Sequence, residues 1–303
     1  MGGFRTPDGV LLLDKPPGIT STRAMAMARR ALDASRIGHT GTLDPFATGL
    51  LPLVFGEATK FSRFLLDSTK AYTATLRLGE ESESGDTETP ARHVSDDLPG
   101  LAKIDAVLQA FKGDVSQIPP MHSAVHIGGR RLYEYAREGV EVPREPRQVN
   151  VSKLEVVSFR SPELVLAVTC SKGTYIRVLA ADIGRALGCG AYLTALRRTA
   201  VGRFGIDSAS TPDDLAAMGT ESARGRLLPV DSLVATLPRA DVDEETAIRF
   251  CHGQQIDGAG FAAQAPVAVF ERGRRFLGVG LPDGERIAPM RLMAESQKSP
   301  DFA

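Results

Sequence analysis

An α/β (α+β) domain followed by a small β-rich module is the architecture this sequence predicts. From residue 9 to about residue 200, short apolar runs rich in β-formers alternate with amphipathic stretches of helical period, and Gly-, Pro- and polar-rich breaks separate them. After about Val234 the composition changes, and the chain becomes Gly- and Ala-rich with short strand-like runs. The expected division is residues 1–235 for the larger domain and residues 236–303 for the module. With 303 residues and 43% hydrophobic content, the chain can bury a sizeable core.

Composition excludes several classes. No run of about 18 uninterrupted apolar residues suggests a membrane helix, and the first residues lack the basic segment and apolar run of a secretory signal, so a cytoplasmic location is expected. Cys170, Cys189 and Cys251 are odd in number and form no CxxC pair, which argues for reduced, buried thiols rather than disulfides or a thiolate zinc site. The net charge is -1, from 36 basic and 37 acidic residues. Any contact with nucleic acid must therefore come from local clustering of charge.

Taken in order, residues 9–18 (GVLLLDKPPG) read as a short buried strand stopped by a proline pair. Thr20 or Ser21 then caps a helix to about Leu32, whose Ala, Met and Arg content favours helix. Arg29, Arg30 and Arg36 make its end basic, suited to a solvated face or to phosphate contact. Residues 38–49 (GHTGTLDPFATG) carry Gly, Pro and Thr at a density that breaks both helix and strand, so they predict a loop. The apolar run at 50–55 must be buried, which pins that loop to a core. A lone carboxylate, Asp44, on a pinned loop of small residues is a candidate for chemistry.

Residues 57–66 predict a helix with Phe61, Phe64 and Leu65 on one side. Residues 70–79 predict a strand with Tyr72 near its start, where half-buried packing is the plainest role for a tyrosine. The acidic, turn-rich run 80–88 taken alone reads as a solvated loop. An amphipathic helix is expected at 101–111, then an extended stretch at 117–131 in which His122 and His126 lose the helical spacing that would suit a metal. A helix restarts at 132–137, and Arg130, Arg131, Arg137, Arg144 and Arg147 form the kind of basic group an RNA backbone needs. Strands at 149–159 and 163–170 flank a polar break, and residues 171–177 turn into a helix ending near Leu187. Ser171-Lys172-Gly173-Thr174 lacks the full glycine pattern of a nucleotide-binding loop. In the module, 265–270 and 276–280 read as strands around a basic turn at 272–275, and residues 296–303 are expected to be disordered.

The run from Gly38 to Phe61, containing GTLDPFATG and GEATKF, resembles the signature of the TruB family of transfer-RNA pseudouridine synthases. Residues 117–131, SKGTYIR at 171–177 and the Leu193, Leu196-Arg197-Arg198 pattern also match, so the likeness covers roughly residues 9–204. It implies a pseudouridine-synthase fold with a central mixed, largely antiparallel sheet flanked by helices, and a C-terminal PUA-like RNA-binding module. The implied reaction isomerises uridine 55 in the T loop of tRNA to pseudouridine on a flipped-out nucleotide, with no cofactor and no metal. The implied partner is the tRNA T-arm stem-loop, with no membrane and no obligatory protein partner.

By the same resemblance, Asp44 is the nucleophile, Arg177 the guanidinium that holds it, and Asp86 an acidic residue orienting that arginine. Tyr72 and Tyr175 belong to the base pocket, Tyr72 stacking on the uracil and being a candidate for removing the C5 proton. A free tyrosine has a pKa of about 10, so that proton role needs local help. His39 is the residue that pushes into the RNA loop, and Leu196 is an apolar wall of the pocket. Rival uses of a lone Asp fare worse: an aspartyl-phosphate enzyme would carry an acidic or Lys-Thr-Gly neighbour where Pro45-Phe46 stand, and an aspartic protease needs two Asp-Thr/Ser-Gly loops. A tRNA-folding chaperone that opens the elbow without depending on catalysis is the alternative of a different kind; both activities can coexist on this fold, and the retained Asp44 argues that catalysis is present without excluding chaperoning.

Overall fold

The structure, a computed structural model, describes residues 7–294 apart from residues 122, 124, 125 and 274. His122 and residues 296–303 thus lie outside the described residues, and with them the expectations stated for them. The frame is a nine-stranded sheet. Strand β1 (Gly9–Lys15) pairs antiparallel with β3 (Thr48–Phe55), which also carries the short β2 (Ile37–His39). Beyond β3 lie the strands Ala191–Val201, β4 (Lys70–Leu78), Glu163–Cys170, Arg147–Arg160 and Gly113–Gln117. The strand Ala191–Val201 runs parallel to β3 at Arg197–Thr48 and Arg198–Gly49, and the other pairings are antiparallel. This is the mixed, largely antiparallel sheet that was expected.

Strands β1 and β3 are apolar on both faces because both faces are covered. Leu11, Leu13, Leu51, Leu53 and Phe55 enter the main core, with Ala24 and Ala28 of the helix α1 (Ser21–Ala31). Their neighbours Val10, Leu12, Leu50 and Val54 point the other way into a second core, together with Phe61, Ala268 and Val279. The period of two along a strand thus assigns alternate residues to two different cores. The second core joins the module to the rest of the molecule: Phe61 meets Phe276 edge-on at 5.2 Å, Lys60 Nζ donates to the Leu292 carbonyl at 3.2 Å, and Ala294 N–H donates to Glu57 at 2.6 Å.

Local signals behave as their chemistry requires. The Thr20 hydroxyl caps α1 by accepting from Arg23 N–H. The helix Ile176–Leu187 buries Ile176, Leu179, Ala180, Ile183 and Leu187 on one stripe and ends at Gly188 with φ 84°, the left-handed conformation glycine adopts at no cost.

Four readings change. The stretch 57–66 is a 3-10 turn, Gly56–Phe61, continued by a single α turn, Ser62–Leu66, although Phe61 and Leu65 are buried and Phe64 packs beside them as expected. The ends of 38–49 are strand, since Gly38 pairs with Val54 and Thr48 begins β3. The acidic run 80–88 is no solvated loop: Glu80–Ser82 pairs with Ala91–His93, and Asp86 is fully buried. The module's sheet, ordered Arg239–Val242, Val267–Glu271, Phe276–Pro282, Arg286–Leu292, Ile256–Asp257, packs against a helix, Glu244–Cys251, that its Gly- and Ala-rich composition had not suggested. Cys170 and Cys189 are buried free thiols, while Cys251 is only half-buried. No helix among the described residues is long and apolar enough to cross a membrane.

Candidate active site

Asp44 is held between two anchors. On one side Ser21 Oγ accepts from Leu43 N–H at 2.8 Å and lies 2.9 Å from the Leu43 carbonyl. On the other, Lys15, with no exposed surface, donates from Nζ to the carbonyls of Pro16 at 2.9 Å, Ile19 at 2.8 Å and Pro45 at 3.2 Å. All three ammonium protons are therefore used, which is what a buried lysine requires. Burial lowers the Lys15 pKa to about 8, with the Asp44 charge acting in the opposite sense. The loop then re-enters the sheet through Gly49, at φ 102°, where a Cβ would lie 2.3 Å from the Arg198 carbonyl oxygen. Only glycine lets the parallel pairing with Arg198 form there.

The second residue of the helix Ile176–Leu187, Arg177, reaches Asp44 in a forked contact, Nε to Oδ2 at 2.9 Å and Nη2 to Oδ1 at 3.3 Å. Its Nη1 donates to the Ser84 carbonyl at 2.9 Å, and Nε lies 3.4 Å from Asp86 Oδ2. The side chains of Arg177 and Asp86 are 5% and 1% exposed, while Asp44 keeps 34% of its surface open. One guanidinium thus stands between a sealed carboxylate and an accessible one. Asp86 is itself fixed, since Ser84 Oγ at 2.6 Å and Glu88 N–H at 2.8 Å both donate to its Oδ1. Gly85, at φ 74°, lets the backbone lie against Arg177, where a Cβ would sit 3.3 Å from the arginine Cβ. Burial pushes the Asp44 carboxyl above its ordinary value, Arg177 pulls it down, Asp86 raises it further and Lys15 opposes that rise.

Asp44 opens into a cleft of about 310 Å³ whose walls include Tyr72, Tyr175, Arg177, Leu196, Lys70 and Arg198. Tyr72 of β4 and Arg198 are direct cross-strand partners, and Leu196, two residues earlier, lies on the same sheet face as Arg198. Arg198 is 1% exposed; it donates from Nε to the Leu50 carbonyl at 2.7 Å and from Nη2 to the Gly41 carbonyl at 3.0 Å. Lys70 is 8% exposed and donates to the carbonyls of Leu66 at 2.7 Å and Ser68 at 2.6 Å, with its pKa lowered to about 8 by burial and by Arg198. Neither cation has a carboxylate within 4 Å among the described residues. Ser123 Oγ, on the cleft wall, is buried without a hydrogen-bond partner.

Of the residues singled out from the sequence, Asp44, Tyr72, Tyr175, Arg177 and Leu196 line this one cleft. Asp86 stands behind Arg177 and does not line it. His39 ends β2 outside the lining; its Nδ1 is buried and unpartnered, and burial, reinforced by Arg198, lowers its pKa and keeps the ring neutral. Sequence reasoning missed Lys15, Lys70, Ser123 and Arg198. Lys15 ends an apolar strand before two prolines, on the face opposite its neighbour Asp14, and that could have marked it as buried for a reason. Arg198 reads as surface charge in a Leu-Arg-Arg run, and nothing local distinguishes it from Arg197, which pairs with Asp14 at 2.7 Å. The basic groups also separate: Arg130 and Arg144 are paired with Glu138 and Glu141, whereas Arg29, Arg30 and Arg36 are exposed. No group of three potential metal-ligating side chains is gathered among the described residues.

A pinned carboxylate held by a buried arginine thus opens into a cleft walled by aromatic, apolar and cationic side chains on a mixed sheet. Residues 29–176 match the TruB family pseudouridylate synthase N-terminal domain, 177–235 the tRNA pseudouridylate synthase B C-terminal domain, and 238–293 the pseudouridine synthase II TruB C-terminal domain. The chain is 49% identical over 296 residues to the tRNA pseudouridine synthase B of Aromatoleum aromaticum, covering 96% of this chain and 94% of that one. It is 50% identical over 292 residues to the enzyme of that name from Dechloromonas aromatica, covering 96% and 97%. Among solved structures, a Cbf5-Nop10-Gar1 complex matches with TM-score 0.75 and 27% identity over 94% of this chain and 85% of that one. An H/ACA RNP bound to a substrate RNA containing 2′-deoxyuridine matches in fold, with TM-score 0.74 and 24% identity over 95% and 86%. The chain belongs to the TruB family of pseudouridylate synthases.

Proposed function

We infer that this chain isomerises uridine 55 in the T loop of tRNA to pseudouridine, with Asp44 as the nucleophile. The observation that carries the reading is the forked Arg177–Asp44 contact at the opening of the cleft, backed by sealed Asp86. Pseudouridine forms when the N1–C1′ bond breaks, the uracil turns, and C5 bonds to C1′. Nothing is oxidised and nothing is added, so the chemistry demands no cofactor. A carboxylate can open such a path by covalent catalysis provided it is ionised and aimed. Arg177 meets both needs, favouring the carboxylate and fixing its plane through two hydrogen bonds.

The base must leave its stack to reach Asp44, as for every enzyme acting on a stacked ring. Tyr72, Tyr175 and Leu196 offer aromatic and apolar surface to receive it, and neutral His39, close to the loop, can enter the space vacated in the RNA. Tyr72 accepts the C5 proton. The exposed Arg29, Arg30 and Arg36 are placed for phosphate, so that a T-arm stem-loop is bound by local charge although the chain is nearly neutral overall. The cytoplasm is the compartment such a substrate implies. The test is tritium release from tRNA labelled at C5 of uridine, comparing wild type with Asp44→Asn. Release by wild type and none by a variant that still binds tRNA supports the reading; tight binding with no release by wild type sinks it and leaves a binding or chaperone protein.

A further inference from the structure

Arg198 is a buried cation that the ion network around Asp44 does not use. It is 1% exposed and has no carboxylate within 4 Å among the described residues. A charge in that position is costly unless its donors are spent on something specific. They are spent on the Gly41 carbonyl at 3.0 Å, before Asp44, and on the Leu50 carbonyl at 2.7 Å, after it, while Tyr72, its cross-strand partner, lines the same cleft. The same side chain therefore ties the backbone at both ends of the Asp44 loop and stands beside the Tyr72 ring.

We propose that Arg198 is a positioning residue for the isomerisation: its guanidinium holds Tyr72 as the acceptor of the C5 proton and locks it in register with the Asp44 loop. The proposal rests on the reading of Tyr72 given above. In the step concerned, C5 has already bonded to C1′ and still carries its hydrogen, and the ring holds a C6–N1 double bond. The C5–H bond breaks, and its proton passes to the Tyr72 phenolate. The freed pair forms the C5–C6 double bond, and the pair of the former C6–N1 double bond is left on N1. N1 then takes a proton from the Tyr72 phenol or from water, so the step balances without an external acid or base.

A phenolate is what a buried tyrosine resists forming. Burial holds the Tyr72 phenol above its ordinary value, and Cys170 on the neighbouring strand and Asp44 on the loop push the same way; the charge of Arg198 acts against all three and lessens that rise. Lysine in its place would keep a positive charge but cannot span the two carbonyls with one planar fork.

The experiment is single-turnover isomerisation of tRNA carrying uridine or 5-deuteriouridine at the target, by wild type, Tyr72→Phe, Arg198→Lys and Arg198→Gln, with tRNA binding and thermal unfolding measured on each. Whichever Arg198 variant retains the wild-type fold is expected to bind tRNA as wild type does. It should turn over about 10–100-fold more slowly, a usual size for lost proton-transfer assistance, and show a larger C5 deuterium isotope effect than wild type. A slower variant with an unchanged isotope effect would assign Arg198 to structure alone and overturn the proposal, as would an unchanged rate. If Tyr72→Phe keeps the wild-type rate and isotope effect, the Tyr72 reading itself fails; if Tyr72→Phe is impaired and the Arg198 variants are not, only the inference about Arg198 fails.

Discussion

The two walls of the cleft each carry a buried arginine, and they solve the problem of burial differently. Arg177 stands between two carboxylates, Asp44 and Asp86, and is satisfied by charge. Arg198, with Lys70 beside it, is satisfied by carbonyl oxygens, and keeps its charge uncompensated. Low-dielectric surroundings strengthen either arrangement, but only the first leaves an exposed group in its reactive form. On the function proposed above, one wall shapes a nucleophile, and the other presents a positive field to whatever ring or proton enters the cleft.

The most severe break in this comparison is Asp44→Asn, which removes the carboxylate and leaves its shape: isomerisation should fall below detection in the C5 tritium assay, with tRNA affinity held. Next comes Arg177→Met. It strands Asp86, 1% exposed, beside Asp44, and breaking a buried pair costs about 3–5 kcal/mol, toward the lower end here because Asp44 is 34% open to screening water. Denaturant unfolding measures the loss. Turnover should vanish with it.

Asp86→Asn should be milder, a loss of about 1–3 kcal/mol in activation free energy or stability for one charged hydrogen-bond partner. Its sharper signature is in pH. Asp44 must be ionised to act, so activity falls as pH drops through its folded pKa, which lies above the ordinary 3.8 partly because Asp86 is anionic. Removing that like charge should move the acid limb of the rate profile to lower pH; a limb that moves up, or stays, contradicts the electrostatic role given to Asp86.

The smallest effect is expected on the other wall. Lys70→Met leaves two carbonyls short of a donor but no carboxylate stranded, so it should cost no more than about 1 kcal/mol. A cost equal to that of Arg177→Met would show that the second wall is compensated after all. Lys15 and Lys70 should each contribute a gain in stability as pH rises from about 8 toward 10.5, offset in part above about 9 by Cys170, whose thiol is held at about 11 by burial. Lys15 and Lys70 give up their protons near 8 in the fold but near 10.5 once unfolded, so over that window the unfolded chain binds more protons. Lys70→Met should flatten part of that rise in a series of unfolding curves.

What the sequence by itself determined is the part governed by near neighbours. The alternation in β1 and β3, the Thr20 cap, the stripe from Ile176 to Leu187 with its glycine stop, and the loop around Asp44 all follow from side-chain period and backbone preference within a few residues. Family resemblance added the identities of Asp44, Tyr72, Tyr175, Arg177 and Leu196, which the fold then gathered into one cleft. The rest was decided by tertiary structure. Asp86 looked solvated because its neighbours are acidic and turn-forming, yet Ser84, Glu88 N–H and Arg177, the last from 91 residues further along the chain, enclose it. Lys15 and Arg198 were not marked as parts of the site because their partners are backbone carbonyls, which carry no trace in the sequence. Arg198 meets Gly41 and Leu50 only because two distant strands run parallel at Gly49, a pairing no local period encodes. A buried charge is made tolerable by groups brought to it through folding, and that is why the chemistry of this cleft is only half written in its motifs.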